Sequence, residues 1–352
     1  MNETNLNSNT GQLASYLEQH IQGFSGPLTL EKFPGGQSNP TFLLIAGSGQ
    51  YVLRSKPAGE LLASAHAVDR EYRVLEALAD TDVPVAKVLH LCADESVFGS
   101  MFYVMSYEEG RIFWDPALPE IPKEQRRALL EQQVRVLADL HSVDLEAVGL
   151  GDYGPTANYY ERQVSRWTKQ YRAAETEHIA SMETLMQWLS ENMPADDGSV
   201  SLIHGDYRLD NIIYHPSEPC VLAVLDWELS TLGHPLSDLA YLCMCMRLPK
   251  ISTLQGLGGK DRADLGVPEE EEVVALYCKL RGLDHIDHWS FYLAFSYFRI
   301  ASICQGVYKR GQAGNASDDQ AASRENVASI LADMAIELLQ SGNELQKGGN
   351  KL

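Results

Sequence analysis

Hydrophobic and polar positions alternate in short runs over the first hundred residues, and glycine and proline break these runs. Such alternation between turn residues is typical of antiparallel strands. Strands are predicted at residues 28–33, 41–46, 51–54, 88–92 and 101–107. Residues 61–79 differ, because their apolar positions recur at steps of three and four and predict a long amphipathic helix. A shorter helix is predicted at residues 11–22.

The pattern becomes helical after Gly110. Helical periodicity covers residues 123–141, 159–192, 236–246, 269–280, 288–308 and 321–339. One β-rich interval, residues 201–227, interrupts these helices. The predicted fold class is therefore α+β with two lobes. A small antiparallel β lobe is expected at residues 1–107, and a larger, mainly helical lobe at residues 108–352.

Composition and charge narrow the class of protein. The 352 residues are 45% hydrophobic and 22% charged, as in an ordinary globular protein. The 28 basic and 48 acidic side chains give a net charge of −20, so we expect neither nucleic acid nor membranes as partners. The chain has no long apolar run, its start does not resemble a secretory signal, and its six cysteines are sparse. A cytoplasmic protein with reduced cysteines is predicted, and the pattern carries no prediction of oligomeric state.

The segment around residues 202–214 carries the most informative polar residues. Asp206 and Asn211 lie five positions apart, and Asp226 follows fifteen positions later. Apolar runs flank both acids, and a carboxylate at such a position is costly unless it is paired. Carboxylate and amide oxygens suit Mg²⁺ that carries nucleotide phosphates. In this hypothesis Asn211 and Asp226 bind the metal, and Asp206 accepts a hydrogen bond from a substrate hydroxyl.

The order HGD, four residues, N, then LDWE resembles the aminoglycoside phosphotransferase family, the small-molecule branch of the protein-kinase-like fold. The resemblance implies a bilobal kinase-like fold with Asp206 as the catalytic base and Asn211 and Asp226 as Mg²⁺ ligands. It makes His204 a buried scaffold residue. Asp238, in GHPLSDLA, is implied to bond the backbone of the catalytic loop.

The same resemblance implies how the nucleotide is held. Arg54 occupies the strand position of the basic residue that holds the α- and β-phosphates, where kinases usually carry lysine. Glu71 stands where the glutamate that pairs with this residue is found. An arginine can hold phosphate and carboxylate together. Lys56, two residues away on the same strand face, remains an alternative.

Two backbone regions complete the predicted nucleotide site. A glycine-containing loop between the first two strands would cover the phosphates, and a plain hairpin turn is the alternative. The predicted covering residues are Gly36, Gln37, Ser38 and Asn39. The lobe hinge, with Met105 and Tyr107, is implied to bond adenine through its backbone. ATP is therefore the predicted nucleotide, and GTP stays open.

The predicted function is ATP- and Mg²⁺-dependent transfer of the γ-phosphate to a hydroxyl of a small molecule. The motifs GGQSNPTF, VLRxKP, SAHAVxRE and HGDYRLDN resemble the subgroup whose kinase-like domain is fused to acyl-CoA dehydrogenase domains. This chain has no room for the second domain, so a free-standing unit is expected. The fusion favours a hydroxylated acyl derivative as acceptor. The alternative function is a catalytically silent, kinase-like nucleotide-binding module.

A basic stretch in the second lobe bears on the acceptor. Arg247, Lys250, Lys260 and Arg262 stand out against the acidic background, and Arg299 on an aromatic helix could join them. The hypothesis is that they line the cleft and favour an anionic or amphipathic acceptor over an aminoglycoside. Scattered, solvated side chains are the alternative.

Overall fold

Two compact units make up the chain. The computed structural model describes residues 10–33, 39–57, 67–251, 254–312 and 326–348. Unit 1 comprises residues 1–112, 146–150 and 211–230, and unit 2 comprises residues 113–145, 151–210 and 231–352. Unit 1 thus extends five residues past the division suggested by the sequence pattern and takes in two later segments.

A five-stranded antiparallel sheet forms the centre of unit 1, in the order β1-β2-β3-β5-β4. The strands are β1 (Thr29–Lys32), β2 (Thr41–Ala46), β3 (Gly49–Ser55), β4 (Val88–Cys92) and β5 (Phe102–Ser106). All five lie within one or two residues of their predicted positions. Alternate residues of β2 are buried, and helix α1 (Thr10–His20) adds Leu13 and Leu17 to the same core.

Helix α2 (Val68–Leu78) is the described part of the long predicted helix, and residues 58–66 lie outside the described chain. A short helix that the sequence pattern missed, α3 (Glu95–Phe98), precedes β5. Unit 1 also holds a small hairpin of β7 (Ile212–Tyr214) and β8 (Val221–Val224), in which Ile212 pairs with Val224.

Unit 2 is mainly helical, as predicted. Its helices are α4 (Lys123–His141), α5 (Tyr159–Ala174), α6 (Ala180–Glu191), α7 (Leu236–Arg247), α8 (Arg262–Leu265), α9 (Glu270–Arg281), α10 (Trp289–Gln312) and α11 (Val327–Gly348). Strands β6 (Ser201–Ile203) and β9 (Thr231–Gly233) pair antiparallel. The most buried helix is α7, with ten of its twelve residues buried. Asp238 of this helix binds the loop that follows β6.

One predicted helix was wrong in its continuity, because residues 159–192 form α5 and α6 rather than one helix. Glu175 ends α5 with an extended backbone at ψ 131°. Arg172, in the last turn of α5, also bonds the Glu183 carboxylate in α6. The short helix α8 was also missed.

Cysteine chemistry and hydropathy add two findings. All six cysteines are free thiols. Among the helices of the described ranges, none combines the length and apolar character needed to cross a bilayer.

Candidate functional site

Arg54 of β3 lies among three carboxylates in unit 1. Its Nε is 2.6 Å from Oε2 of Glu71, although the N–H is not aligned for a hydrogen bond. Its Nη2 donates to Oδ1 of Asp226 at 2.7 Å and lies 4.0 Å from Oε2 of Glu228. Only 13% of the Arg54 side chain is exposed. The guanidinium is therefore the cationic centre of an acidic cluster.

Glu71 occupies the buried face of α2, between apolar residues such as Val68 and Val74. A carboxylate on such a face needs partners. Asn39 donates to Oε1 at 2.6 Å, Tyr103 donates to Oε2 at 3.1 Å, and Arg54 supplies the charge. Burial raises the pKa of Glu71, and the Arg54 guanidinium acts in the opposite direction. The Glu71 carboxylate thus anchors Arg54.

Lys56 occupies a different environment from Arg54. Its Nζ is 3.6 Å from Oδ1 of Asp69, and both side chains are substantially exposed. Exposed ion pairs of this kind contribute little stability. Arg54 is consequently the basic residue that the structure places with Glu71 and Asp226.

Asn211 and Asp226 flank the same end of the β7–β8 hairpin. Asn211 directly precedes β7, Asp226 follows β8 by two residues, and the Leu225 N–H donates to the Asn211 carbonyl at 2.8 Å. Asp226 has a left-handed backbone, with φ 62° and ψ 62°. Such a conformation is uncommon outside glycine and clusters at functional sites. The buried Trp227 indole, which donates to the Val224 carbonyl at 3.0 Å, holds this turn in place.

The residues at this hairpin end fit a hard divalent cation. Asp226 and Asn211 offer carboxylate and amide oxygens, which Mg²⁺ prefers. The Asp226 side chain is 43% exposed, so a partly hydrated ion can reach it. Asp226 also accepts a hydrogen bond from Arg54, which places one positive charge beside the carboxylate.

The structure describes only some of the remaining residues that were predicted to bind the nucleotide. Gly36, Gln37 and Ser38 lie outside the described residues. Asn39 is 1% exposed, and its amide is engaged by Glu71. Met105 is the fourth residue of β5, and Tyr107 follows the end of that strand. Their predicted role at the adenine stays a prediction.

In unit 2, Asp238 pins the loop that carries His204 and Asp206. Asp238, in the first turn of α7, accepts the N–H of His204 at 2.6 Å and that of Gly205 at 2.9 Å. Gly205 has φ +83°, a backbone region that favours glycine. Burial opposes ionisation of Asp238, but hydrogen bonds from His141 and the His204 backbone prevail and lower its pKa. The loop conformation is thus fixed by a buried charge.

Two further side chains hold the loop at Asp206. The Tyr241 hydroxyl donates to Oδ1 of Asp206 at 2.6 Å. Arg299 of α10 is buried and donates from Nη2 to the Gly205 carbonyl. Its guanidinium carbon lies 5.5 Å from the centre of the Tyr241 ring, a cation–π contact. Sequence reasoning missed Tyr241, although its position three residues after Asp238 puts both on one face of α7.

A cavity of about 310 Å³ lies beside this loop within unit 2. Its apolar lining is Trp114, Pro116, Leu130, Leu209, Leu242, Met246, Leu248 and Leu254, and its polar lining is Gln133, Arg208, Asp210, Cys245 and Gln255. Gln133 is 2% exposed, and its Nε2 has no hydrogen-bond partner among the described residues. The cavity therefore combines an apolar wall with one buried, unsatisfied donor.

The basic stretch hypothesised to line the cleft is largely neutralised within unit 2. Arg247 forms a two-bond pair with Glu270, and Lys260 lies 3.7 Å from Asp115. Arg262 lies 4.0 Å from Glu269, and Arg299 is buried and donates to the Gly205 carbonyl. Acidic or backbone partners thus occupy Arg247, Lys260, Arg262 and Arg299, and the role of the basic stretch at the cleft stays a prediction.

Comparison with known proteins identifies the family. The model of the phosphotransferase enzyme family APH matches residues 29–276. Mouse acyl-CoA dehydrogenase family member 10 is 47% identical over 325 residues, which cover 91% of this chain and 30% of that protein. Human family member 11 is 44% identical over 331 residues, which cover 93% of this chain and 42% of that protein. The chain thus spans less than half the length of these relatives.

Solved structures agree with this assignment. One crystal structure comes from a Ralstonia eutropha protein that is assigned to the aminoglycoside phosphotransferases. Its sequence is 48% identical to this chain, and the TM-score is 0.86 over 94% of this chain and 98% of that one. Choline kinase from Cryptosporidium parvum shares the fold at 11% identity, with a TM-score of 0.58 over 97% of each chain. The predicted kinase-like, α+β fold is confirmed. The chain belongs to the APH phosphotransferase enzyme family.

Proposed function

We propose that this protein transfers the γ-phosphoryl group of ATP to the hydroxyl of a small molecule. The observation that carries the proposal is the largely buried Arg54, which contacts both Glu71 and Asp226. An arginine held in this way presents a fixed cation to anionic oxygens, and its carboxylate partner prevents it from turning away. Family membership supports phosphoryl transfer in general, and the nucleotide, metal and acceptor are part of the proposal.

Each residue has a proposed task. Asp206 accepts the proton of the acceptor hydroxyl, and that oxygen forms a bond to the γ-phosphorus. The bond from this phosphorus to the bridging oxygen of the β-phosphate breaks, and ADP leaves. Arg54 holds the α- and β-phosphates. Catalysis in this scheme rests on positioning and charge neutralisation rather than on a covalent intermediate.

Asn211 and Asp226 are the proposed magnesium ligands. When bound, Mg²⁺ supplies positive charge that neutralises the phosphate oxygens. The hydrogen bond that Arg54 donates to Asp226 links the predicted phosphate-binding residue to the predicted metal ligand. A related fold supports nucleotide use, because spectinomycin phosphotransferase, which has a TM-score of 0.60, was solved with ADP and spectinomycin.

The acceptor is proposed to be amphipathic, with a hydroxylated acyl derivative as the first candidate. The cavity beside the Asp206 loop supports this choice, because most of its wall is apolar. Its volume of about 310 Å³ lies at the lower end of the range for small-molecule sites. The unsatisfied Gln133 amide can donate to one neutral acceptor oxygen, such as a carbonyl. The pairing of the basic stretch argues against recognition of an acceptor by bulk charge.

The first test incubates the protein with Mg²⁺ and ATP labelled at the γ-phosphate, together with a panel of hydroxylated acyl compounds, choline and an aminoglycoside. Mass spectrometry detects the phosphorylated product. Transfer to an acyl compound that disappears in Asp206→Asn, with ATP binding retained, is the expected result. Nucleotide binding without any transfer favours the silent module, and an absence of nucleotide binding refutes the proposal.

A separate variant tests whether the acceptor binds in this cavity. Leu242→Trp fills the cavity and is expected to raise the KM for an acyl acceptor at least tenfold, with the KM for ATP unchanged. Leu283→Trp, at an exposed position after α9, serves as the matched control. Unchanged acceptor KM in Leu242→Trp would exclude this cavity as the acceptor site.

A further inference from the structure

Tyr241 shares a hydrogen bond with the residue that we assign as the catalytic base. We propose that Tyr241 is a positioning residue that fixes the orientation of the Asp206 carboxylate and favours its ionised form through this hydrogen bond. The inference rests on the proposed role of Asp206 and goes beyond it, because it names a second residue that determines how that base works.

The geometry favours a specific, rigid contact. The distance from the Tyr241 hydroxyl to Oδ1 of Asp206 is 2.6 Å, as expected for a phenol donating to a carboxylate. Tyr241 is 2% exposed and lies in the middle of α7, so its ring cannot swing into solvent. The Arg299 guanidinium packs against one side of the ring and bonds the Gly205 carbonyl at the same time. The phenol and the loop are therefore held by a common group.

The protonation state of the phenol is fixed by its surroundings. Burial raises the pKa of Tyr241 well above its usual value, and the nearby Cys245 and Asp206 act in the same direction. Tyr241 is thus a neutral donor at every pH where the protein would work. A hydrogen bond from such a donor stabilises the ionised form of a carboxylate.

Other charged and titratable groups near Asp206 in unit 2 also bear on its charge. Arg208 and Asp210 of the same loop bond each other, so their charges largely cancel. His204 accepts the Asp206 N–H through Nδ1 at 3.2 Å. Burial raises the pKa of the Cys245 thiol to about 12, so this group stays neutral. Arg299 acts through the Gly205 carbonyl rather than on the carboxylate itself. The Tyr241 side chain donates directly to an Asp206 oxygen, and this makes it a group to change.

The kinetic test removes the hydroxyl alone with Tyr241→Phe. The acidic limb of the pH profile of kcat/KM is expected to move upward by about one pH unit, because protonation of Asp206 is no longer opposed by the phenol. At a pH above the acidic limb of both the variant and the wild type, kcat is expected to be about tenfold lower in the variant, with the KM for ATP unchanged. Tyr171→Phe is the matched control, because that hydroxyl is buried and has no hydrogen-bond partner among the described residues. The control is expected to leave both the profile and kcat unaltered.

A second variant keeps the ring and changes only the strength of the donor. Replacement of Tyr241 by 3-fluorotyrosine strengthens the phenol as a donor and is expected to move the acidic limb downward. Opposite shifts in the two variants are the result that a merely structural role would not produce. Equal profiles in wild type, Tyr241→Phe and the fluorinated protein would overturn the inference.

A direct titration separates this inference from the proposed function. Carbon-13 NMR of the side-chain carboxyls, with the Asp206 signal assigned by Asp206→Asn, follows the ionisation of Asp206 without any acceptor or nucleotide. The midpoint is expected to be higher in Tyr241→Phe than in the wild type. A shifted midpoint in a protein without transferase activity would refute the proposed function and retain the hydrogen bond as the control of Asp206. An unshifted midpoint overturns the inference even if the enzyme is active.

Discussion

Arg54 donates a 2.7 Å hydrogen bond to Asp226, a residue 172 positions away in the chain. The same guanidinium contacts the buried Glu71. Arg54 therefore joins strand β3, helix α2 and the turn after β8. Removal of one partner from such a buried pair leaves an uncompensated charge and is strongly destabilising. Several consequences of this arrangement can be measured.

The first prediction tests whether Arg54 in β3 or Lys56, which follows that strand, binds the phosphates. Arg54→Gln is expected to weaken ATP binding at least tenfold, because the group held by Glu71 is lost, whereas Lys56→Gln is expected to change affinity less than twofold. Calorimetric titration with Mg²⁺ and a non-hydrolysable ATP analogue measures both. A larger loss in Lys56→Gln than in Arg54→Gln would assign the phosphates to Lys56.

The Arg54–Glu71 pair also predicts an effect on stability. Arg54→Gln leaves the Glu71 carboxylate buried without its cation and is expected to lower the free energy of unfolding by about 3 kcal/mol. The double variant Arg54→Gln/Glu71→Gln is expected to recover part of this loss but none of the nucleotide affinity. Urea denaturation measures the three proteins. Additive losses in the double variant would show that the two side chains do not interact.

Asp226 is expected to control the magnesium dependence of nucleotide binding. Asp226→Asn removes one negative charge from the proposed ligand set and should raise the Mg²⁺ concentration needed for half-maximal ATP binding at least tenfold. Asp80→Asn, a change at an exposed position of unit 1, is the control for net charge. Identical Mg²⁺ dependence in Asp226→Asn and Asp80→Asn would remove Asp226 from the metal site.

Asp238 is expected to be essential for the structure of the loop. Asp238→Ala leaves the N–H groups of His204 and Gly205 without their shared acceptor in a buried place, and a loss of about 3 kcal/mol in unfolding free energy is predicted. Asp238→Asn keeps one acceptor oxygen and should lose less. Thermal and urea denaturation compare the two. Equal stability of Asp238→Ala and the wild type would contradict the pinning role.

The buried His141 predicts how stability depends on pH. Burial lowers the pKa of His141 in the folded protein below 6.5, although Asp238 acts in the opposite direction. The unfolded chain therefore binds the proton more readily, and the stabilising contribution present above pH 6.5 is lost as pH falls towards the folded pKa. His90 and His234 also have lowered pKa values, so the decline has several sources.

His141→Asn isolates the contribution of this histidine. Urea denaturation between pH 5 and 7.5 is expected to show a shallower decline in the variant than in the wild type. Asp238, whose pKa is lowered from 3.8, contributes its own loss only at more acidic pH. Parallel curves for the variant and the wild type would mean that His141 has the same proton affinity in both states.

The polar pattern of the chain determined much of this protein by itself. Alternation along residues 28–54 and helical periodicity after Gly110 gave the strands and most helices, because these repeats follow directly from local backbone geometry. The spacing from Asp206 to Asn211 and on to Asp226 indicated a phosphotransferase, and the family comparison agrees. Local patterns could not show where the helical stretch 159–192 breaks, because the connection at residues 175–179 contains no glycine or proline.

Tertiary structure alone decided the partners of the charged residues. Arg54 and Lys56 both carry a positive charge, and only packing separates a largely buried cation between two acids from an exposed pair with Asp69. The sequence pattern predicts a basic surface at Arg247 and Lys260, whereas in the fold these side chains pair with Glu270 and Asp115. Tyr241 acquired its meaning through a contact with a residue 35 positions away. Ion pairs and hydrogen bonds between distant segments depend on the folded path of the chain, which periodicity and spacing do not encode.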